Sequence, residues 1–214
     1  MQPIIFDFDG TLADSGECGF LATQTAFKES NLPIPSKEKV NYYMGIPIEQ
    51  SFHEMTDHSL DEKQFAELLQ RFRHAYKIFE EQTITAFLHI DEVLNSFCKE
   101  GLLLFVVSSK KTDVLHRNLQ KLKLDHYFTD WIGSDQVDQY KPHPDGILKI
   151  VERYSLNVSD CAMIGDAIFD IQMGKAAGCK TVAVGWGSHS KEQLLKEEPN
   201  FFAYEVKDLL HLMK

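Results

Sequence analysis

Short apolar runs alternate with segments of helical periodicity over most of the chain, and this alternation restricts the possible folds more than any other feature. Six runs have the length of β-strands, at residues 4–6, 102–107, 131–132, 161–164, 181–184 and 201–203. The run at 102–107 is apolar at every position, as expected for a strand that is covered on both faces. Strands that alternate with helices predict βαβ units, so we expect an α/β fold with a doubly wound parallel sheet.

The helical segments of this region lie between the apolar runs, at residues 90–99, 113–122, 147–153, 168–176 and 191–195. Doubly wound sheets bind their ligands beyond the carboxyl ends of the strands. We therefore expect the active site to be built from the residues that directly follow the apolar runs.

Residues 15–83 interrupt the alternation. They contain no strand-like run, and their periodic segments at 19–28, 48–55 and 65–79 predict helices. The stretch is too long for an ordinary crossover between two strands. We predict that it is an inserted α-helical cap subdomain above the strand ends, and that residues 1–14 and 84–214 form the α/β catalytic core.

The charge balance and the cysteines exclude several classes of protein. The chain has 22 Lys and Arg against 32 Asp and Glu, a formal charge of −10, which disfavours nucleic acid and anionic membrane surfaces as partners. The longest apolar run, at 102–107, is too short to span a bilayer. Four cysteines lie far apart with no C-x-x-C pair, which predicts reduced thiols in a cytoplasmic protein: Cys18, Cys98, Cys161 and Cys179.

Two acids directly follow the first apolar run, in Asp7-Phe8-Asp9-Gly10-Thr11-Leu12. Residues two apart on an extended chain point to the same side, and Gly10 allows the backbone to turn there. Carboxylates this close repel each other, so they need a cation, a shared proton or basic neighbours.

A second pair of acids follows the run at 161–164. Asp166 and Asp170 are four residues apart and face the same opening if a helix begins between them. Asp166 alone could equally be the N-cap of that helix. Acids at the ends of two strands of one sheet form an all-oxygen site, which is suited to Mg²⁺.

Two further segments supply hydroxyl groups and positive charge. Ser108-Ser109-Lys110 follows the buried run at 102–107, and Lys141 lies in a loop that two prolines, Pro142 and Pro144, make stiff. A lysine beside paired carboxylates and a bound phosphate would neutralise charge in the transition state. In isolation, each has a simpler interpretation: a solvated surface lysine for Lys141 and a helix N-cap for the serines.

Together these segments resemble the haloacid dehalogenase-like hydrolase superfamily, and in particular its phosphoglycolate phosphatase-like group, which carries a helical cap. All four motifs of the family are present in order: Asp7-x-Asp9-Gly10-Thr11, Ser108, Lys141-Pro142-x-Pro144 and Gly165-Asp166-x-x-x-Asp170. Two other segments, at residues 128–135 and 174–178, extend the resemblance over nearly the whole core.

The resemblance implies a role for each motif residue. Asp7 would be the nucleophile and Asp9 the general acid and base, while Ser108 and Lys141 would bind the transferred phosphoryl group. Mg²⁺ would be held by Asp7, Asp166 and the backbone carbonyl of Asp9, with support from Asp170. We also expect four neighbouring residues to bind substrate: Gly10, Thr11, Ser109 and Lys110.

The activity implied is a Mg²⁺-dependent phosphatase that acts on a small phosphorylated metabolite through an aspartyl-phosphate intermediate. A β-phosphoglucomutase-like phosphotransferase, or a pyrophosphatase or nucleotidase of the same family, would share these core residues. A non-catalytic binding domain on the same scaffold is the alternative from another class. A dehalogenase of this family lacks the second acid, so Asp9 argues against that activity.

The sequence departs from the family pattern in two places, and its cap is the expected source of substrate choice. Ser109 stands where many relatives have Asn, and residues 86–89 replace a frequent Pro-Gly turn. In the cap we expect the loop around residues 44–46 and the face carrying Arg71, Arg73 and His74 to select the substrate. Since Arg71 and Arg73 are two residues apart in a helical segment, at most one of them points into the cleft.

Overall fold

The computed structural model describes residues 3–212 and has a six-stranded parallel sheet at its centre. Two short strands outside this sheet pair as an antiparallel ribbon. In chain order the strands of the described residues are β1 (Pro3–Phe6), β2 (Ala13–Asp14), β3 (Thr85–Ala86), β4 (Leu103–Val107), β5 (Asp130–Ile132), β6 (Ala162–Gly165), β7 (Lys180–Val184) and β8 (Phe201–Ala203). Each of the six predicted strands lies in the large sheet, so the predicted α/β fold class is confirmed.

Helices fill the segments between the strands. Between residues 3 and 212 the α-helices are α1 (Gly16–Glu29), α2 (Lys37–Tyr42), α3 (Ile48–Met55), α4 (Glu62–Thr83), α5 (Ile90–Lys99), α6 (Thr112–Lys121), α7 (Asp145–Arg153), α8 (Ile168–Ala177) and α9 (Lys191–Lys196). Short 3₁₀ helices occur at Asp125–Tyr127, Ser134–Gln136, Val158–Asp160 and Val206–His211. Among the helices described, none is both long and apolar enough to cross a membrane.

The order of the strands places the motif residues side by side. The sheet runs β5-β4-β1-β6-β7-β8, so β1 lies at its centre, with Ile5 opposite Phe105 of β4 and Met163 of β6. All four residues of β1 are buried, as expected for a central strand with helices on both faces. The carboxyl ends of β4, β1 and β6 therefore open onto the same edge of the sheet.

Helices α1 to α4 are inserted between β2 and β3, which confirms the predicted helical cap. The two strands pair antiparallel, with Ala13 opposite Ala86 and Asp14 opposite Thr85. The chain thus leaves the core and returns to it at one narrow ribbon. The proposed limits of the cap, residues 15 and 83, lie directly beside this ribbon.

The cap has its own aromatic packing. The ring of Phe52 makes edge contacts with Phe27 and Phe72, each with 5.2 Å between ring centroids. Helix α4 begins with a reciprocal cap in which Gln64 N–H donates to the side chain of Asp61 and the Asp61 N–H donates to the side chain of Gln64. The apolar cluster that contains Phe27 and Phe52 also contains Phe8 of the core, so cap and core share one hydrophobic interior.

A buried acid fastens the base of the cap to the core. Glu80 of α4 is only 2% exposed, and its carboxylate accepts hydrogen bonds from Nε and Nη2 of Arg117 at 2.8 and 2.9 Å. Asn118 Nδ2 donates to the same carboxylate at 3.0 Å, and Lys121 Nζ donates to the Glu80 carbonyl oxygen. Because α6 supplies all three donors, this end of the cap is fixed to the core.

The turn that enters α5 keeps a left-handed residue without a glycine. His89, which precedes the helix, has a φ of 71°. Left-handed backbone is unfavourable for a residue with a Cβ atom. The turn therefore has a backbone conformation that suits glycine, although His89 occupies it.

Candidate active site

Asp7 lies at the sheet edge where β1 ends. Its backbone N–H donates to the Ile164 carbonyl at 2.9 Å, which continues the pairing with β6 and fixes the start of the loop. The side chain is 2% exposed, and its Oδ1 accepts a hydrogen bond from Lys141 Nζ at 2.5 Å. No described residue donates to the buried Oδ2. One oxygen of this carboxylate is therefore held by the protein, and the other is left to bind something else.

Asp9 faces the cap side of the site. The turn after it is closed by a hydrogen bond from Gly10 N–H to the Ala13 carbonyl at 2.8 Å, and Gly10 has a φ of 82°. The Asp9 Oδ1 accepts from Ser15 Oγ at 2.5 Å and pairs with the ammonium of Lys110. The two acids of the first motif thus have separate environments, because Asp7 is enclosed in the core and Asp9 lines the cleft between core and cap.

Asp166 follows β6 and is fully enclosed. Its Oδ1 accepts from Thr11 Oγ1 at 2.9 Å, and its Oδ2 accepts from the Ser188 backbone N–H at 2.6 Å. Burial, reinforced by the nearby charge of Asp170, raises the pKa of Asp166 to about 6. Gly10 and Gly187 make room for this side chain, since a Cβ atom on either would lie 2.2 Å from an Asp166 atom.

Asp170 is the third residue of α8, and it faces Asp166 as predicted from their spacing. Its Oδ1 accepts from Lys141 Nζ at 2.7 Å, and its Oδ2 accepts from the Ala167 N–H at 3.0 Å. Helix α8 begins at Ile168, so the alternative role of Asp166 as its N-cap is not observed.

Lys141 is a buried cation between two of the acids. It is 5% exposed, which differs from the solvated surface lysine considered as the alternative. Burial alone would lower its pKa, but the charges of Asp170 and Asp7 raise the pKa above its usual value and keep the ammonium protonated. Burial raises the pKa of the Asp7 carboxyl well above its usual range, and the charge of Lys141 offsets only part of this increase.

The three buried acids fit a divalent metal. One carboxylate oxygen from each of Asp7, Asp166 and Asp170 lies within 4.8 Å of the others. Three acids against one lysine leave the cluster negative, and the Oδ2 of Asp7 has no hydrogen bond from any residue of 3–212. Hard carboxylate oxygens with unmet negative charge are the ligands that Mg²⁺ prefers. The carboxylate of Asp9 is not part of this cluster.

The three residues that follow β4, Ser108, Ser109 and Lys110, make different contacts. Ser108 is buried, and its Oγ accepts from the Lys110 N–H at 3.2 Å. Ser109 Oγ donates to the Gly45 carbonyl of the cap at 2.7 Å. The Lys110 ammonium lies 4.9 Å from the ring centre of Tyr76 and 5.5 Å from that of Phe8. Neither serine is an N-cap, because the residue before α6 is Lys111.

The structure gives Thr11 a position that differs from its predicted role. We expect it to bind substrate, but it is completely buried and its hydroxyl donates to Asp166. It therefore supports a carboxylate of the cluster. Gly10, also predicted to bind substrate, lies against the Asp166 side chain. Ser108, Ser109 and Lys110 do line the cavity, as expected for residues that meet a substrate.

A cavity of about 440 Å³ separates the carboxylates from the cap. Asp7 and Asp9 line it together with core residues between Ser108 and Ser134, and all four cap helices or their loops contribute the other lining residues. Arg73 lines the cavity, whereas Arg71 donates to Ser30 Oγ at 2.7 Å and pairs with Glu67 at 3.8 Å. One of the two arginines therefore faces the cleft, as their spacing predicts.

Several residues of the site carry no signal in the sequence. His189 is 3% exposed and links core to cap: Ile168 N–H donates to its Nδ1 at 3.0 Å, and its Nε2 lies 3.0 Å from the Tyr42 carbonyl. Because Nδ1 accepts, Nε2 carries the proton and donates to Tyr42. Ser15 and Ser188 were also not predicted: Ser15 reaches Asp9 only because of the turn between them, and Ser188 acts on Asp166 through its backbone N–H.

Comparisons with known proteins agree with this geometry. The sequence model of the haloacid dehalogenase-like hydrolase family matches residues 4–184. The pyrophosphatase PpaX of Anoxybacillus flavithermus is 28% identical over 216 residues, a match that covers 100% of this chain and 97% of that protein. The phosphoglycolate phosphatase of Shigella boydii is 29% identical over 230 residues, with 98% of this chain and 91% of that protein covered.

A solved structure supports the same relationship. A haloacid dehalogenase-like family hydrolase of Streptococcus pneumoniae has a TM-score of 0.87 with this chain at 27% identity, and the match covers 100% of this chain and 99% of that one. The likeness therefore includes the cap as well as the sheet. Since the family model covers most of the sequence, the protein belongs to the haloacid dehalogenase-like hydrolase family.

Proposed function

We propose that this protein is a Mg²⁺-dependent phosphatase that hydrolyses a small phosphomonoester through an aspartyl-phosphate intermediate. One observation carries the proposal: at one end of the cavity a buried acid with an unpartnered oxygen, Asp7, lies beside a buried ammonium, Lys141. A second acid, Asp9, faces the same cavity. The relatives named pyrophosphatase and phosphoglycolate phosphatase support hydrolysis of a phosphate bond.

Asp7, Asp166 and Asp170 would hold Mg²⁺, together with the backbone carbonyl of Asp9. When bound, the ion would supply positive charge that favours ionised acids and offsets the charge of the phosphoryl oxygens. This requirement follows from the buried cluster, in which Asp166 has a pKa of about 6 in the absence of a cation.

Asp7 would act as the nucleophile. A carboxylate oxygen of Asp7 forms a bond to phosphorus while the bond between phosphorus and the alcohol oxygen breaks, which leaves the phosphoryl group on Asp7. Lys141, which already donates to Asp7 Oδ1, would neutralise charge on the transferred group. The buried Ser108 hydroxyl lines the same end of the cavity and would bind a phosphoryl oxygen.

Asp9 would move the protons of both steps. It gives a proton to the departing alkoxide and then takes one from the water that attacks the aspartyl phosphate. Ser15 and Lys110 hold its carboxylate in place at the cavity wall. The separation of Asp9 from the metal cluster is consistent with this task, because a proton carrier must stay free of strong metal coordination.

The proposal is tested by phosphate release from p-nitrophenyl phosphate, with and without Mg²⁺. Asp7→Asn should abolish turnover, whereas Asp14→Asn, which removes an exposed acid beside the site, should not change it. Chelation of the metal should stop the reaction, and added Mg²⁺ should restore it. Turnover that persists in chelator, or in Asp7→Asn, would contradict the proposal.

Asp9→Asn distinguishes the two steps. Loss of a general acid and base lowers turnover by about 10²- to 10⁴-fold. With an activated leaving group the first step needs less help, so ³²P-labelled phosphoenzyme should accumulate in Asp9→Asn and not in Asp7→Asn. Labelling of Asp7→Asn would show that a different residue is the nucleophile.

A further inference from the structure

The cavity has two chemically different ends. Asp7, Asp9 and Ser108 form the polar end, on the core. On the cap side the lining includes polar residues, among them Thr23, Glu49 and Ser51, and a group of apolar side chains that we name the apolar chamber: Val40, Met44, Ile46, Ile48, Met55 and Phe72. Val40, Met55 and Phe72 are each at most 9% exposed, so the chamber extends into the interior of the cap.

Tyr76 lies where the two ends meet. Its side chain is 8% exposed and lines the cavity, and its hydroxyl has no hydrogen-bond partner within the described part of the chain. Burial, followed by the nearby charge of Asp9, raises the pKa of Tyr76 well above its usual value, so the hydroxyl is a neutral donor. A buried hydroxyl without a protein partner is costly unless another group satisfies it. The hydroxyl oxygen itself is closed to the cavity, so a bound molecule would meet the ring of Tyr76 and not its hydroxyl.

The cations around the cavity are largely neutralised by the protein itself. Lys110 pairs with Asp9, Arg73 Nη2 lies 2.6 Å from Glu49, and Arg117 makes its two bonds to Glu80. Lys77 and Lys111 also line the cavity, but both are exposed. The interior of the chamber therefore offers poor recognition for a second anionic group on the substrate.

The volume also exceeds what a small substrate with two anionic groups needs. Pyrophosphate and phosphoglycolate each have nine non-hydrogen atoms, which at the ~30 Å³ that one water molecule occupies in the liquid fill at most about 270 Å³. The cavity measures about 440 Å³. A nine-atom substrate would leave the apolar chamber facing water.

From these observations we infer that the substrate is a phosphomonoester whose alcohol portion is an extended, mainly apolar group. The phosphate occupies the polar end, and the alcohol portion fills the apolar chamber beside the ring of Tyr76. This inference rests on the proposed phosphatase function and specifies its substrate class. Each methylene that leaves water for an apolar pocket contributes up to about 0.8 kcal/mol, or about fourfold in kcat/KM.

A series of n-alkyl phosphates from ethyl to hexyl tests the inference, because their leaving groups have similar acidity and differ in apolar length. With Mg²⁺ present, we expect kcat/KM to rise by about two- to fourfold per methylene and to exceed the values for phosphoglycolate and pyrophosphate. A flat series, or a preference for phosphoglycolate or pyrophosphate, would overturn the inference while leaving the phosphatase function intact. Absence of turnover on every compound would instead refute the phosphatase function.

A substitution in the cavity wall, with a matched control, completes the test. Ile46→Ser makes the chamber wall polar, and Ile34→Ser changes an exposed cap isoleucine that does not line the cavity. Ile46→Ser should reduce the ratio of kcat/KM for hexyl over ethyl phosphate, and Ile34→Ser should leave that ratio unchanged. An equal ratio in both variants would show that the alkyl chain does not enter the chamber.

Discussion

Replacing Asp166 by Asn tests whether the buried acids destabilise the fold when no cation balances them. Asn has the same shape. Its amide oxygen can accept from the Ser188 N–H, and its amide nitrogen can bond to the Thr11 hydroxyl, so both partners of this side chain keep a hydrogen bond. The substitution therefore removes a charge from a site that is 1% exposed while changing the packing little.

The magnitude follows from the pKa of Asp166, which burial and Asp170 raise from 3.8 to about 6. Because the folded state holds this proton more tightly than the unfolded state, the stabilising effect is fully present below pH 3.8 and is lost as the pH rises through about 6. A shift of about two units corresponds to about 3 kcal/mol. In the absence of metal, Asp166→Asn should therefore exceed the wild type in unfolding free energy by about 1 kcal/mol at pH 4.5 and about 3 kcal/mol at pH 7.5.

Urea unfolding in chelator at the two pH values measures this difference, with Asp14→Asn as the control for loss of an exposed charge. Saturating Mg²⁺ should reverse the order at pH 7.5, because binding stabilises only the protein that holds the ion well. If Asp166→Asn is the less stable protein at pH 7.5 in chelator, or if the difference does not change with pH, the buried acid is not a source of electrostatic strain.

Three further substitutions test the architecture around the site. Glu80→Ala should lower the unfolding free energy by about 2 kcal/mol, because the buried Asn118 Nδ2 and the partly exposed Arg117 lose their acceptor. Glu17→Ala, in the exposed pair with Lys37, should cost less than about 1 kcal/mol. Equal losses in urea unfolding would show that Glu80 does not anchor the cap. Gly187→Ala places a methyl group 2.2 Å from the Asp166 Cβ atom and should weaken Mg²⁺ binding by about 10- to 100-fold in calorimetric titration, while Gly16→Ala, with nothing within 4 Å of its added Cβ, should not. Unchanged affinity in Gly187→Ala would mean that the loop moves aside freely. His89→Gly should raise the unfolding free energy by up to about 1 kcal/mol by relieving the left-handed backbone; a lower Tm would indicate that the His89 contact with Glu92, at 3.2 Å, outweighs that relief.

Periodicity predicted the elements that bury a continuous apolar face. The helix expected at 48–55 matches α3 residue for residue, because its apolar positions all turn towards the cap interior. Helix α2 was not predicted, since it has six residues and buries only Val40. The ribbon of β2 and β3 was also missed, because strands of two residues have no pattern and arise only from where the cap meets the core.

In the candidate site, the position of a residue could be predicted where that residue directly follows a strand. Asp7, Asp166 and Ser108 are such residues, and the sheet order brings them together. Other contacts were missed because their partners are distant in the sequence. Asp9, for example, pairs with Lys110, which lies 101 positions further along the chain. Ser188 acts through its backbone N–H, which any residue type would supply.

The central place of β1 also determines when the site can assemble during synthesis. Asp7 is synthesised before both of its neighbouring strands, which begin only at Leu103 and Ala162. Lys141 follows Asp7 and precedes Asp170, the two acids that its ammonium contacts. The site therefore cannot close until Asp166 and Asp170 have been made, and by then the compensating charge is already in the chain.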